Sequence, residues 1–137
     1  MQTHRILILE DDNLTISLLT KALYNLEKKL DLKNIDLAIT VLSEYTQVEE
    51  YINKCEKDKF DVILLDRDCK ACGSFHVLDI ENLDTEKIIS ISSDPEWNRQ
   101  AKERGVTKVV WKDFQNLDKF MVDVIRLIED ILNLKNN

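Results

Sequence analysis

Five short apolar runs recur along the chain, most of them without polar alternation: Ile6 to Leu9, Ile35 to Leu42, Val62 to Leu65, Ile88 to Ile91 and Val109 to Trp111. A strand that is apolar at successive positions carries apolar side chains on both faces, so its sheet must be covered on both sides. Between the runs lie longer segments: Leu14 to Lys29, Thr46 to Lys57, Phe75 to Leu83, Pro95 to Arg104 and Leu117 to Leu134. Leu18, Leu19, Leu23 and Leu26 in the first, and Phe120, Val124, Leu127, Ile128 and Ile131 in the last, recur at helical spacing. Asn13 suits an N-cap, Asp94 before Pro95 a second one, and Gly105 a helix stop. Five strands alternating with five helices predict an α/β domain built on a doubly wound parallel sheet.

At 137 residues the chain is expected to form a single domain over 1–137, with no second or output domain and a frayed tail at 135–137. Only Gly73 and Gly105 are glycines, which excludes P-loops and dinucleotide fingerprints. The 26 acids against 19 bases, a net charge of −7, argue against a nucleic-acid partner and favour cations and basic protein surfaces. No apolar stretch approaches the roughly 20 residues of a membrane helix. The amino end lacks the pattern of a signal peptide, so a cytoplasmic location with three reduced cysteines is expected.

In an open parallel sheet, ligands bind beyond the carboxyl ends of the strands. Glu10, Asp11 and Asp12 follow the first run, Asp66, Arg67 and Asp68 the third, Ser92 and Ser93 the fourth, and Lys112 the fifth. Any one acid at a strand end is an ordinary loop residue or helix cap. Together, however, these groups converge on one edge. Carboxylates held close either gain proton affinity or recruit a cation. An oxygen-only set suits Mg²⁺, which keeps several waters and commonly bridges to a phosphoryl group. A hydroxyl and a lysine on the opposite rim could contact two further phosphoryl oxygens.

This order of residues, from Arg5 to about Asn133, resembles the receiver domain of bacterial two-component response regulators, in a stand-alone, chemotaxis-regulator-like form. The resemblance implies a flavodoxin-like sheet of strand order 2-1-3-4-5. It implies that Asp66 is the phosphoacceptor, and that Glu10, Asp11 and the backbone carbonyl of Asp68 hold Mg²⁺. Ser92 and Lys112 would contact the phosphoryl group. The implied function is phosphorelay signalling. Asp66 would take a phosphoryl group from a histidine kinase or a histidine phosphotransfer protein, and the protein would dephosphorylate itself weakly and signal by contact with a downstream protein. The switching surface would be the fourth predicted helix, the fifth strand and the fifth helix, through which a homodimer could also form.

The sequence departs from that family at several positions. Asp113 follows Lys112 where the family has a proline joined by a cis peptide; a non-proline cis bond costs ~2.5–4 kcal/mol, so a trans bond is expected, with consequences for the reach of Lys112. Asp113 could also compete for the Lys112 ammonium. Val109 stands where the family carries its aromatic switch residue. The loop after the acceptor reads Asp68-Cys69-Lys70-Ala71-Cys72-Gly73. A pseudo-receiver that binds partners without phosphorylation is therefore an alternative. A thiol or metal sensor using Cys69 and Cys72, with His76 and with Cys55 or an acid as fourth ligand, is another, although one isolated C-x-x-C pair reads more simply as loop thiols.

Overall fold

Successive residues of the central strands point to opposite faces, and each face meets its own apolar cover. A computed structural model describes residues 1–44, 51–52, 54, 56–68 and 80–134. Its main elements are β1 (Gln2–Leu9), α1 (Asn13–Leu30), β2 (Ile35–Leu42), β3 (Val62–Asp66), β4 (Ile88–Ser92), α2 (Pro95–Glu103), β5 (Lys108–Trp111) and α3 (Leu117–Ile131). The strands form one parallel sheet in the order β2-β1-β3-β4-β5, as the resemblance implies.

Ile6, Ile8, Val62, Leu64, Ile89 and Ile91 face Leu19, Leu23 and Leu26 of α1 and Phe120, Val124 and Ile128 of α3. Leu7, Leu9, Ile63, Leu65 and Ile88 lie on the other face, in a cluster with Ile52, Ile80, Val106 and Ala101 of α2. This two-sided burial is the physical reason for the missing polar alternation. Edge strand β2 keeps some polar residues and exposes part of Ile39 and Val41.

The helix ends follow local chemistry, with one correction. Asp12, not Asn13, caps α1: its Oδ2 accepts from the Thr15 backbone N–H at 3.0 Å and from the Thr15 hydroxyl at 2.6 Å. Asn13 is already the first helical residue. Asp94 caps α2 ahead of Pro95, and Gly105 adopts φ +101 just beyond that helix, a conformation disfavoured for side-chain-bearing residues.

Five helices were expected, and the described residues contain three α-helices. Most of the Thr46 to Lys57 segment lies outside the described residues, although Tyr51 and Ile52 are helical. The Phe75 to Leu83 segment is described only from Ile80, and Ile80–Asn82 is a 3-10 turn rather than α-helix. Cys55, Cys69, Cys72, Gly73, His76 and the tail at 135–137 lie outside the described residues. Among the described residues no helix is long and apolar enough to cross a membrane.

The packing carries a direct expectation for α3. Phe120 is 1% exposed and Val122 is 65% exposed. In urea denaturation, Phe120→Ala should cost about 3–5 kcal/mol, and Val122→Ala should stay within about 0.5 kcal/mol of the parent.

Candidate functional site

Parallel register brings the chemistry together. Leu9 of β1 lies opposite Leu65 of β3, so the next residues, Glu10 and Asp66, emerge side by side. Asp66 lies opposite Ile91, and Ser92 opposite Trp111, which places Ser92 and Lys112 along the same edge. Sequence positions spread over a hundred residues thus share one rim.

At its centre is an ammonium between carboxyl groups. Lys112 Nζ donates to Glu10 Oε1 at 2.7 Å and to Asp66 Oδ1 at 3.1 Å, and lies 3.9 Å from Asp68 Oδ2. Lys112 is 1% exposed, and Glu10 and Asp66 are both fully buried. Glu10 Oε2 accepts from the backbone N–H groups of Asp11 and Asp12 at 3.0 and 3.2 Å. Asp66 Oδ1 also accepts from the Asp68 N–H at 2.8 Å, whereas Asp66 Oδ2 is buried with no hydrogen-bond partner among the described residues. No cis peptide occurs among the described residues, so the Lys112–Asp113 bond is trans, and the ammonium reaches both carboxyls nonetheless. The Asp113 carboxylate turns away and accepts from the Gln115 N–H at 2.9 Å.

Two buried carboxyls share this ammonium, and the charges do not balance. Burial, and then the neighbouring Glu10 carboxyl, push Asp66 up to about 10, against the opposing pull of Lys112 and the Asp68 N–H. Burial pulls the Lys112 ammonium down, but the carboxylates of Asp66 and Glu10 outweigh it and hold it above its ordinary value. A positive charge is missing. Glu10, Asp11 and Asp66 can each present an oxygen with all three atoms within 4.8 Å of one another. Together with the unpartnered Oδ2, this all-oxygen set fits a hard divalent cation such as Mg²⁺.

The rim beyond Asp66 is occupied by side chains of this chain. The Ser92 hydroxyl donates to Asp68 Oδ1 at 2.6 Å and lies 2.9 Å from the Asp94 carbonyl oxygen. The Ser93 N–H donates to Asp68 Oδ2 at 2.7 Å. Asp12 is engaged as the α1 cap. Val109 is half-buried on the surface of β5, beside Pro95, Lys102 and the 60% exposed Trp111. The thiols of Cys69 and Cys72 lie outside the described residues.

Three residues of this region were not assigned roles from the sequence. Arg67 is fully buried, bonds Gln100 Oε1 through Nη2, and lies 6.0 Å from the Trp97 ring centroid. Asn98 accepts from the Ser90 hydroxyl at 2.8 Å and donates to the Val110 carbonyl at 3.0 Å, linking β4, α2 and β5. Ser93 contributes through its backbone N–H, which its residue type does not announce. For Asn98, the lone polar Ser90 inside an apolar run was the available signal.

Solved structures of similar fold include several response regulators. The phosphorylated cyanobacterial phytochrome response regulator RcpA aligns with a TM-score of 0.68 at 17% identity, over 98% of this chain and 97% of that one. The bacteriophytochrome response regulator AtBRR aligns at 0.61 and 19%, over 96% and 94%. A response regulator receiver protein from Burkholderia phymatum aligns at 0.57 and 16%, over 95% of both chains. At such identities the likeness establishes the fold, which is that of receiver domains. No protein-family model matches the chain, and no curated protein matches it.

The electrostatics give a stability test with a definite sign. Because the folded-state value of Asp66 lies above the ordinary 3.8, the unfolded chain binds fewer protons between the two values, and stability falls as pH rises through that window. Without divalent cations at pH 8, Asp66→Asn should therefore stabilise the protein, by about 1–4 kcal/mol, and flatten its pH dependence. Mg²⁺ should raise the melting temperature of the parent and leave that of Asp66→Asn nearly unchanged. Thermal denaturation from pH 5 to 9, with chelator and with Mg²⁺, checks both.

Proposed function

We propose that the protein is a receiver that accepts a phosphoryl group on Asp66, acts in the cytoplasm, and signals by protein contact. The observation that carries this reading is the buried Asp66 carboxyl, with one oxygen held by Lys112 and the other unpartnered, beside two further acids at the carboxyl edge of a receiver-type sheet. The fold likeness to response regulators supports it.

In this mechanism Asp66 Oδ attacks the phosphorus of a phosphohistidine, on a histidine kinase or phosphotransfer protein, or of a small acyl phosphate. One O–P bond forms. The P–N or P–O bond to the donor breaks in line, and its electron pair leaves on the imidazole or carboxylate. Lys112, already poised between Glu10 and Asp66, offsets charge on the transferring oxygens. Glu10, Asp11, Asp66 and the Asp68 carbonyl would hold Mg²⁺, which supplies neutralisation of phosphoryl charge and keeps Asp66 ionised. Ser92 binds a phosphoryl oxygen through its hydroxyl, and later hydrolysis of the acyl phosphate returns the resting state. Output passes to a downstream protein, or to a second copy, through the surface of α2, β5 and α3.

The test is acetyl phosphate with Mg²⁺, followed by intact mass. The parent should gain one phosphoryl group, lost with chelator and absent in Asp66→Asn. No adduct at any Mg²⁺ concentration would sink the proposal in favour of an interaction module that binds its partner without phosphorylation, as Val109 and Asp113 would suit.

A further inference from the structure

The Asp68 carboxylate lies in a donor set built for an anion. Its Oδ1 accepts from the Ser92 hydroxyl at 2.6 Å, its Oδ2 from the Ser93 N–H at 2.7 Å, and the Lys112 ammonium stands 3.9 Å from Oδ2. A hydroxyl, an amide and an ammonium thus converge on the two oxygens of one anionic group. Ser92 Oγ also accepts from the Asp94 N–H at 3.0 Å; its single proton has two acceptors in reach, Asp68 Oδ1 at 2.6 Å and the Asp94 carbonyl oxygen at 2.9 Å, of which the carboxylate is the nearer. Ser92 is fully buried, whereas the Asp68 side chain is 23% exposed. Ser92 and Lys112 are therefore part of the buried framework, Ser93 lies at its exposed rim, and the partly exposed carboxylate of Asp68 closes over all three. Asp68 is also held at its backbone, where its N–H donates to Asp66 Oδ1 at 2.8 Å.

An edge of a phosphoryl group presents two oxygens much as a carboxylate does, and the same groups can donate to either. Two of them, Ser92 and Lys112, are those the proposed function assigns to the phosphoryl oxygens. We infer that the Asp68 side chain is a tethered internal anion that occupies this donor set and competes with the incoming phosphoryl group, so that Asp68 must swing out before the site can load. This inference rests on the proposed receiver function for its consequence, although the occupancy itself is independent of any transfer chemistry. A tethered competitor raises the concentration of external anion needed to fill the donors, and its negative charge adds direct repulsion. The Ser92 hydroxyl and the Ser93 N–H are thus hydrogen-bonded without an external ligand.

The test follows the Ser93 backbone amide by NMR while inorganic phosphate is titrated, with saturating Mg²⁺, into the parent, Asp68→Ala and Asp68→Asn. Asp68→Ala empties the donors, and Asp68→Asn removes the charge and one of the two acceptors at constant size, which guards against a local rearrangement in the alanine variant. The Ser93 amide of Asp68→Ala should respond at phosphate concentrations at least about tenfold lower than the parent, the size expected when one charge-assisted contact is released. Asp68→Asn should fall between them. Equal responses in all three proteins, or no response in any, would overturn the inference. The acetyl phosphate assay separates the two claims. A positive Ser93 result with no adduct on Asp66 in any variant retains the anion competition and rejects the phosphoacceptor role, whereas an adduct with an unchanged Ser93 profile does the reverse.

Discussion

The Lys112 ammonium reaches from the end of β5 to Glu10, 102 positions earlier, and to Asp66 on the strand between them. An ion this deeply buried persists only where opposite charge and hydrogen bonds replace the water it has lost. Glu10 meets that need with one oxygen and spends the other on two backbone N–H groups at the start of α1. The ends of β1, β3 and β5 are thereby pinned to one centre. The centre is also short of positive charge, since a single ammonium serves both carboxyls, and this shortage, with burial, raises the proton affinity of Asp66. The same imbalance that makes the resting site costly makes it receptive to a cation and to chemistry on Asp66.

From this centre, contacts run outward along covalent and hydrogen-bonded neighbours. The Ser92 hydroxyl bonds the Asp68 side chain and the Asp94 backbone, and Asp94 caps α2. Behind it, Asn98 ties α2 to Ser90 of β4 and to the Val110 carbonyl of β5. Ser92 is therefore one residue pair away from the start of a helix that is itself bolted to the sheet. The exposed Trp111 meets the rim directly, because its Nε1 donates to the Ser93 carbonyl at 3.2 Å.

Much of this was legible in the residues. Unalternating Val/Ile/Leu runs announced a sheet covered on both faces, and the residues after those runs announced the rim, because strand ends and apolar period are set by local sequence. Side-chain direction was less legible. Asp12, Asp66 and Asp68 are the same residue type near strand ends, yet one caps a helix, one is buried beside an ammonium, and one folds over Ser92 and Ser93. Those fates depend on which donors the fold brings near, and the partners lie up to 46 residues away. Asp12 rather than Asn13 is the cap for the same reason: Asn and Asp cap equally well, and the start of the helix decides between neighbours. The trans bond at Asp113 did not shorten the reach of Lys112, since its side chain is long enough to meet both carboxyls.

The central claim is that the buried set around Lys112 lacks one positive charge, and that Asp66 makes good the deficit with a proton until a cation arrives. The direct measurement is the ¹³C resonance of the Asp66 carboxyl at pH 7, assigned by comparison with Asp66→Asn, first with chelator and then with Mg²⁺. A protonated carboxyl in chelator that shifts to the ionised position as Mg²⁺ is added is the predicted result. An Asp66 carboxyl already ionised without Mg²⁺, or unchanged by its addition, would contradict the account.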